Sequence, residues 1–161
     1  MALVQPAPEH TRLATLLGTW DVEITMWSWP SLDSAKAVAV AENQMILGGR
    51  FLESRVKGGA PPMEIELFEL TGFDRRYNRY TTIRFDSWGT YYVTAAGGMT
   101  DNLVKMQGTD TDPNSGHRSY DMNLRFVDAG TYVTDVTFTS ADIAPGSAPF
   151  KAFEAVYRRR K

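Results

Sequence analysis

Hydrophobic and polar positions alternate along most of this chain, and one early stretch departs from that rhythm. Between Pro8 and Leu17, the leucines Leu13, Leu16 and Leu17 recur at helical spacing, and Gly18 stops the pattern. A helix of roughly two to three turns is too short to hold alone, so it must pack on something. The period then changes to two. Trp20, Val22, Ile24 and Met26 alternate with Asp21, Glu23 and Thr25, which predicts a half-buried strand with a clear inner face. After a break at Trp29-Pro30, strands are predicted over about 35–47, 50–57, 63–73, 79–85, 90–97, 102–109, 116–127, 131–139 and 150–159. Gly48-Gly49, the 58–62 and 74–78 turns, and a loop with Pro145, Gly146 and Pro149 punctuate them.

About ten strands, with no second helix to serve as a crossover, imply antiparallel neighbours joined by hairpins. A sheet of that size curls or closes, and closure removes its exposed edges. The expected fold is all-β: an antiparallel up-and-down barrel forming one domain over 1–161. The helix (8–17) sits at one end and the barrel covers 18–159. A sandwich is the alternative.

One hairpin tip carries its own expectation. In Asp86-Ser87-Trp88-Gly89, Asp86 can accept a bond from the N–H two residues on, and Gly89 can take a left-handed φ. The turn then needs nothing from Trp88. Its indole is predicted to fold over one barrel end, against either the helix or a pocket mouth.

Composition narrows the function classes. The net charge of -2, from 17 basic and 19 acidic residues, argues against nucleic acid as the main partner. With no cysteine, thiolate chemistry and Cys-based zinc sites are excluded. The first residues, MALVQPAPEH, carry no signal-peptide pattern and no segment nears the ~20 apolar residues of a membrane helix. A soluble, cytoplasmic protein is expected. No nucleophile elbow, P-loop, His-Glu-x-x-His or dinucleotide fingerprint occurs.

Chemistry must therefore come from single residues. Over 63–70, Ile65 and Leu67 compete with Phe68 and Leu70 for the inner face. If Phe68 and Leu70 point inward, Glu66 does too, and becomes a candidate general base or ligand anchor. Otherwise it faces solvent. Arg50, following Gly48-Gly49, is its natural partner and could clamp a carboxylate. His10 is the other catalytic candidate, though its position suits holding the helix to the barrel end. His117 shares the parity of Ser119 and Asp121, so it should face out. Trp20, Tyr80, Tyr92 and Tyr120 have strand parity that could reach a cavity. The basic run Arg158–Lys161 reads as a solvated tail.

The blocks EHTRLATLLGTW (9–20), LGGRFL (47–52), IELFELTGFD (65–74), YTTIRFDSWGT (80–90) and FEAVYRRR (153–160) follow one another in a recognisable order. In this the chain resembles the bacterial domain-of-unknown-function family numbered 1579, over nearly its whole length. The resemblance implies a lipocalin-like (calycin-type) barrel with a cavity and no established activity. Relatives often carry a small residue where this chain has Leu67 and Glu69, and a Trp where it has Arg84. The wall near Arg84 should thus be more polar here. Gly18-Thr19-Trp20 also resembles the first strand of lipocalins and haem-binding nitrobindins. The nitrobindin glycine pattern after that Trp is missing, and the last strands contain no histidine, so no haem or other cofactor is expected.

Three readings stand open. The first is a binder of a small, mostly apolar molecule, contacted by Trp20, Arg50, Glu66, Tyr80, Arg84, Trp88 and Tyr120. The second is a barrel enzyme of cyclase, isomerase or lyase type. The third is a solidly packed interaction module. Membrane insertion and nucleic acid are not expected as partners; a homodimer is compatible with all three.

Overall fold

Trp20, Val22 and Ile24 are buried and Asp21 and Glu23 exposed, so β1 (Gly18–Trp27) has the alternation its sequence predicts. This computed structural model describes residues 5–28, 31–89, 91–95, 98–112, 116–139 and 149–161, the side chains at 91–95, 110–112, 116 and 117 excepted. Trp29, Pro30, Pro145 and Gly146 lie outside the described residues. A short helix, α1 (Pro8–Ala14), precedes β1. There follow β2 (Ser34–Ile46), β3 (Phe51–Ala60), β4 (Met63–Asp74), β5 (Arg79–Asp86) and β6 (Tyr91–Ala95). The series ends with β7 (Met99–Thr100), β8 (Leu103–Asp112), β9 (Gly116–Asp128), β10 (Thr131–Phe138) and β11 (Phe150–Arg159).

All pairings are antiparallel. The sheet runs β6-β5-β4-β3-β2-β1-β11-β10-β9-β8-β7, and β6 also pairs with β8. That seam, Thr94 with Gly108 and Ala95 with Gln107, brings the sheet's two sides together into a barrel. Among the described residues, ten strands form the ring. The eleventh, β7, has no counterpart in the sequence reading. It is two residues long and pairs with β8 across a tight turn. Asp101 (φ +48°) and Asn102 (φ +64°) both take left-handed backbone there, as a two-residue hairpin requires.

The helix closes one end. Leu13 and Leu16 are buried and Leu17 is not, because the helix stops at Ala14 rather than Leu17. The Leu16 carbonyl accepts from Trp20 Nε1 and from Asn43 Nδ2, both at 2.9 Å. Those two bonds fix α1 to the barrel floor. The C-terminal run is no solvated tail. Arg158 pairs with Glu23, Arg160 with Asp21, and Arg159 stacks 4.2 Å over Trp20. Register explains this: β11 lies antiparallel to β1 with Arg159 opposite Trp20 and Arg158 opposite Asp21, so Arg158 and Arg160 reach the acidic positions of that strand diagonally.

The 86–89 tip is built as its sequence implies. Asp86 Oδ1 accepts from Trp88 N at 3.0 Å, and Gly89 has φ +84°. Trp88 does not pack on the helix. The tip lies one strand length from α1, which packs against the Phe73 and Tyr80 end of the barrel, and the indole is 55% exposed.

Candidate functional site

On β4 the two apolar sets do not share a face. Ile65, Leu67, Thr71 and Phe73 are buried, which sends Phe68 and Leu70 outward and places Glu69 on the inner face. Opposite Glu69 in register stands Arg84 of β5. Arg84 Nε and Nη2 donate to Glu69 Oε2 at 2.8 and 2.6 Å, and the arginine is 5% exposed. Both donors converge on one oxygen, a charge-assisted double contact at the short end for such pairs. Its guanidinium also lies 5.2 Å from the Phe153 ring. Phe153 belongs to β11, five strands round the ring from β5 by way of β4, β3, β2 and β1. The side chain therefore reaches across the lumen.

Polar groups continue below the pair. Thr71 and Thr82 hydroxyls lie 2.8 Å apart, and Thr82 donates to Met106 Sδ at 3.3 Å. Tyr132 and Tyr157 stack at 4.1 Å, and Asn43 Nδ2 donates to the Tyr132 hydroxyl at 3.0 Å. Burial pushes the Tyr157 phenol up to about 12, with Glu69 raising it and Arg84 lowering it by smaller amounts. Burial and the neighbouring Tyr157 carry Tyr132 well above the ordinary range as well. Both phenols thus stay protonated at neutral pH and can donate. Much of the remaining wall is apolar. The inner side of β2 offers the methyl groups of Ala41, Ala39 and Ala37, and Met26, Met63, Phe138 and Phe153 are half-buried against the core.

The residues singled out from sequence are scattered by this geometry. Glu66 is on the outer face, 3.7 Å from Lys57, because strand parity puts it with Phe68. Arg50 stays in the β2–β3 turn, donating to the carbonyls of Gly48 (3.1 Å) and Leu47 (3.4 Å). The two do not meet, and neither is in the lumen. His10 is buried edge-on to Phe73, with Nδ1 accepting from Ala7 N at 2.9 Å. That bond leaves the proton on Nε2 and spends the ring on the helix start. Trp20 is at the lumen floor, edge-on to Tyr132 at 4.7 Å. Tyr80 is buried against Phe73, and its hydroxyl has no acceptor among the described residues. Tyr120 is wedged over Gly108, where a Cβ would stand 2.5 Å from its ring. Trp88 sits at the rim opposite α1. Tyr92 pairs with Arg84 in the backbone register, but its side chain and that of His117 lie outside the described ones.

Glu69, Tyr132, Tyr157 and Asn43 were missed. Glu69 had a signal: it follows Leu67 by two, so the parity that turns Ile65 and Leu67 inward carries it inward as well. No helix among the described residues is long and apolar enough to cross a membrane. No group of three or more His, Cys, Asp or Glu among them could hold a metal ion.

The family described as a protein of unknown function, DUF1579, matches residues 5–159. The chain belongs to that family. In three dimensions this DUF1579 member is similar to the crystal structure of Rv2717c from M. tuberculosis. The TM-score is 0.68 at 14% identity, with 98% of this chain and 100% of that one covered. At that identity the likeness shows the fold alone. No curated protein matches the chain.

Proposed function

We propose that this DUF1579 member is a bacterial, cytoplasmic, lipocalin-like binding barrel for a small, mostly apolar molecule with one neutral polar head. The observation that carries this is the Arg84–Glu69 pair on the inner wall, with Arg84 reaching the Phe153 ring of the opposite wall. A buried ion pair is a poor source of stability, since apolar residues of similar volume often do as well or better. Pockets for small molecules, in contrast, need a few fixed polar groups in an apolar wall. The pair is neutral as a whole. A ligand hydroxyl or carbonyl can take a bond from Arg84 or give one to Glu69, whereas a carboxylate would face Glu69 directly. Glu66 and Arg50 have no part in this.

An enzymatic reading rests on the same interior. Glu69 is a proton acceptor and Tyr157, held protonated, a donor, which is a workable set for an isomerase or lyase. Native mass spectrometry followed by chromatography separates the two. A carrier retains one compound unchanged on incubation, and an enzyme converts it.

Binding itself is tested with 2-naphthol as a probe. It is expected to shift tryptophan emission, and Trp20→Phe to reduce the change, because Trp20 sits at the lumen floor. No saturable change up to the solubility limit would favour a barrel packed solid.

A further inference from the structure

A cavity of about 530 Å³ lies at the closed end between α1 and the β9–β10 turn. Arg12 and Arg159 both line it, and each guanidinium stacks on a ring, Arg12 at 4.3 Å from Phe126 and Arg159 at 4.2 Å from Trp20. Arg159 is consumed by main-chain carbonyls: Leu17 (2.6 Å), Thr15 (2.7 Å) and Ala129 (3.2 Å). Arg12 is not. Its Nη2 donates to Asn102 Oδ1 at 2.7 Å, and its remaining N–H groups have no acceptor among the described residues. Neither arginine forms an ion pair among those residues. Asp128, the carboxylate in the lining, already accepts from Gly130 N at 2.7 Å. Two positive charges therefore face one negative.

The arrangement is fixed before any ligand arrives. Asn102 occupies the left-handed β7–β8 turn, and its carbonyl accepts from Phe126 N at 2.8 Å. The group that holds Arg12 and the ring beneath it are thus tied together. An arginine stacked on a ring and held by one amide presents its free edge in a set direction.

We infer that this cavity is an anion site, independent of the lumen, for a monoanion with a flat apolar body such as an aromatic carboxylate. The carboxylate meets the free edge of Arg12, and the body lies against Leu16 and Val127 of the lining. The volume suits a small molecule of that kind. Charge separates the two sites: the neutral Arg84–Glu69 pair takes a neutral head, and this net-positive cavity takes an anion.

The probe is 2-naphthoate, with 2-naphthol as its neutral match, followed by ¹H–¹⁵N spectra of the whole chain. Naphthoate is expected to move the Arg12 Nε–H, the Asn102 side-chain amide and the backbone of 126–129. Arg12→Met keeps the stem over Phe126 and removes the charge; it is expected to weaken naphthoate binding by about tenfold or more. Asp128→Asn retains an acceptor for Gly130 N–H and is expected to tighten it by about two- to fivefold. Arg84→Met should leave it unchanged. Naphthoate that perturbs only lumen residues, or binds wild type, Arg12→Met and Asp128→Asn alike, would overturn the assignment. Loss of 2-naphthol binding in Arg84→Met tests the lumen reading separately, so either site can fail without the other.

Discussion

Around the Leu16 carbonyl, at the closed end, the buried donors are neutral: those of Trp20 and Asn43 converge on it. Halfway up the lumen, Arg84 and Glu69 are charged and face each other across β4 and β5. Both arrangements incur a desolvation cost. At the floor, hydrogen bonds that pin a helix too short to stand alone offset it. In the lumen the two charges stand on neighbouring strands that the β4–β5 ladder already holds together. On the proposed reading, the first set is kept for the fold and the second for a ligand.

Removing the floor should do the most damage. Trp20→Ala deletes the largest fully buried side chain, its bond to Leu16 and the ring under Arg159. A loss of about 3–5 kcal/mol is expected in urea unfolding. A loss below about 1 kcal/mol would mean that the floor is not the keystone of the closed end.

Breaking the lumen pair from one side comes next. Arg84→Met leaves the half-buried Glu69 without its partner, and about 3 kcal/mol is expected, the low end of the range for such breaks because Glu69 keeps some exposure. An unchanged midpoint would show that solvent already screens the pair.

Alkaline titration probes the phenols between the two regions. The Tyr157 pKa is raised from 10.0 to about 12 in the folded protein. Below pH 10 the phenol is protonated in both states, so stability is unaffected. As pH rises from 10 to 12 the unfolded chain ionises first, and stability falls by about 2–3 kcal/mol. Tyr157→Phe should flatten that slope, leaving the part due to Tyr132, which is raised too. A slope identical in the variant would place the alkaline transition elsewhere.

The smallest effects belong outside both regions. Trp88→Ala and Glu66→Gln touch an exposed indole and a loose surface ion pair, so each should change stability by less than about 0.5 kcal/mol. A larger loss from Trp88→Ala would mean that the rim is packed more tightly than its exposure implies.

Strand parity made most of this fold readable in advance. The 18–27 and 120–126 stretches alternate cleanly, and the Asp86 and Gly89 turn follows from chemistry local to four residues. Parity failed where both faces of a strand are apolar. On β4, Phe68 packs outward against Phe85 and under Arg55, so hydrophobicity alone could not choose the inner face. That one ambiguity moved the carboxylate from Glu69 to Glu66. Glu69 and Arg84 had each stood out as departures from the family's usual residues. Only the β4–β5 register shows that they are partners. The phenols were missed for another reason: Tyr132 and Tyr157 meet by way of β10 and β11 pairing, which no local pattern encodes. The basic tail was misread because its acidic partners lie at the far end of the sequence, on β1.

The double variant Glu69→Leu/Arg84→Met tests most directly whether the lumen pair serves a ligand rather than the fold. Urea unfolding and calorimetric titration with 2-naphthol are run on it beside wild type. The expected result is stability within about 1 kcal/mol of wild type or above it, together with 2-naphthol affinity lowered by about tenfold or more. A double variant that is clearly less stable yet binds 2-naphthol as well as wild type would contradict it.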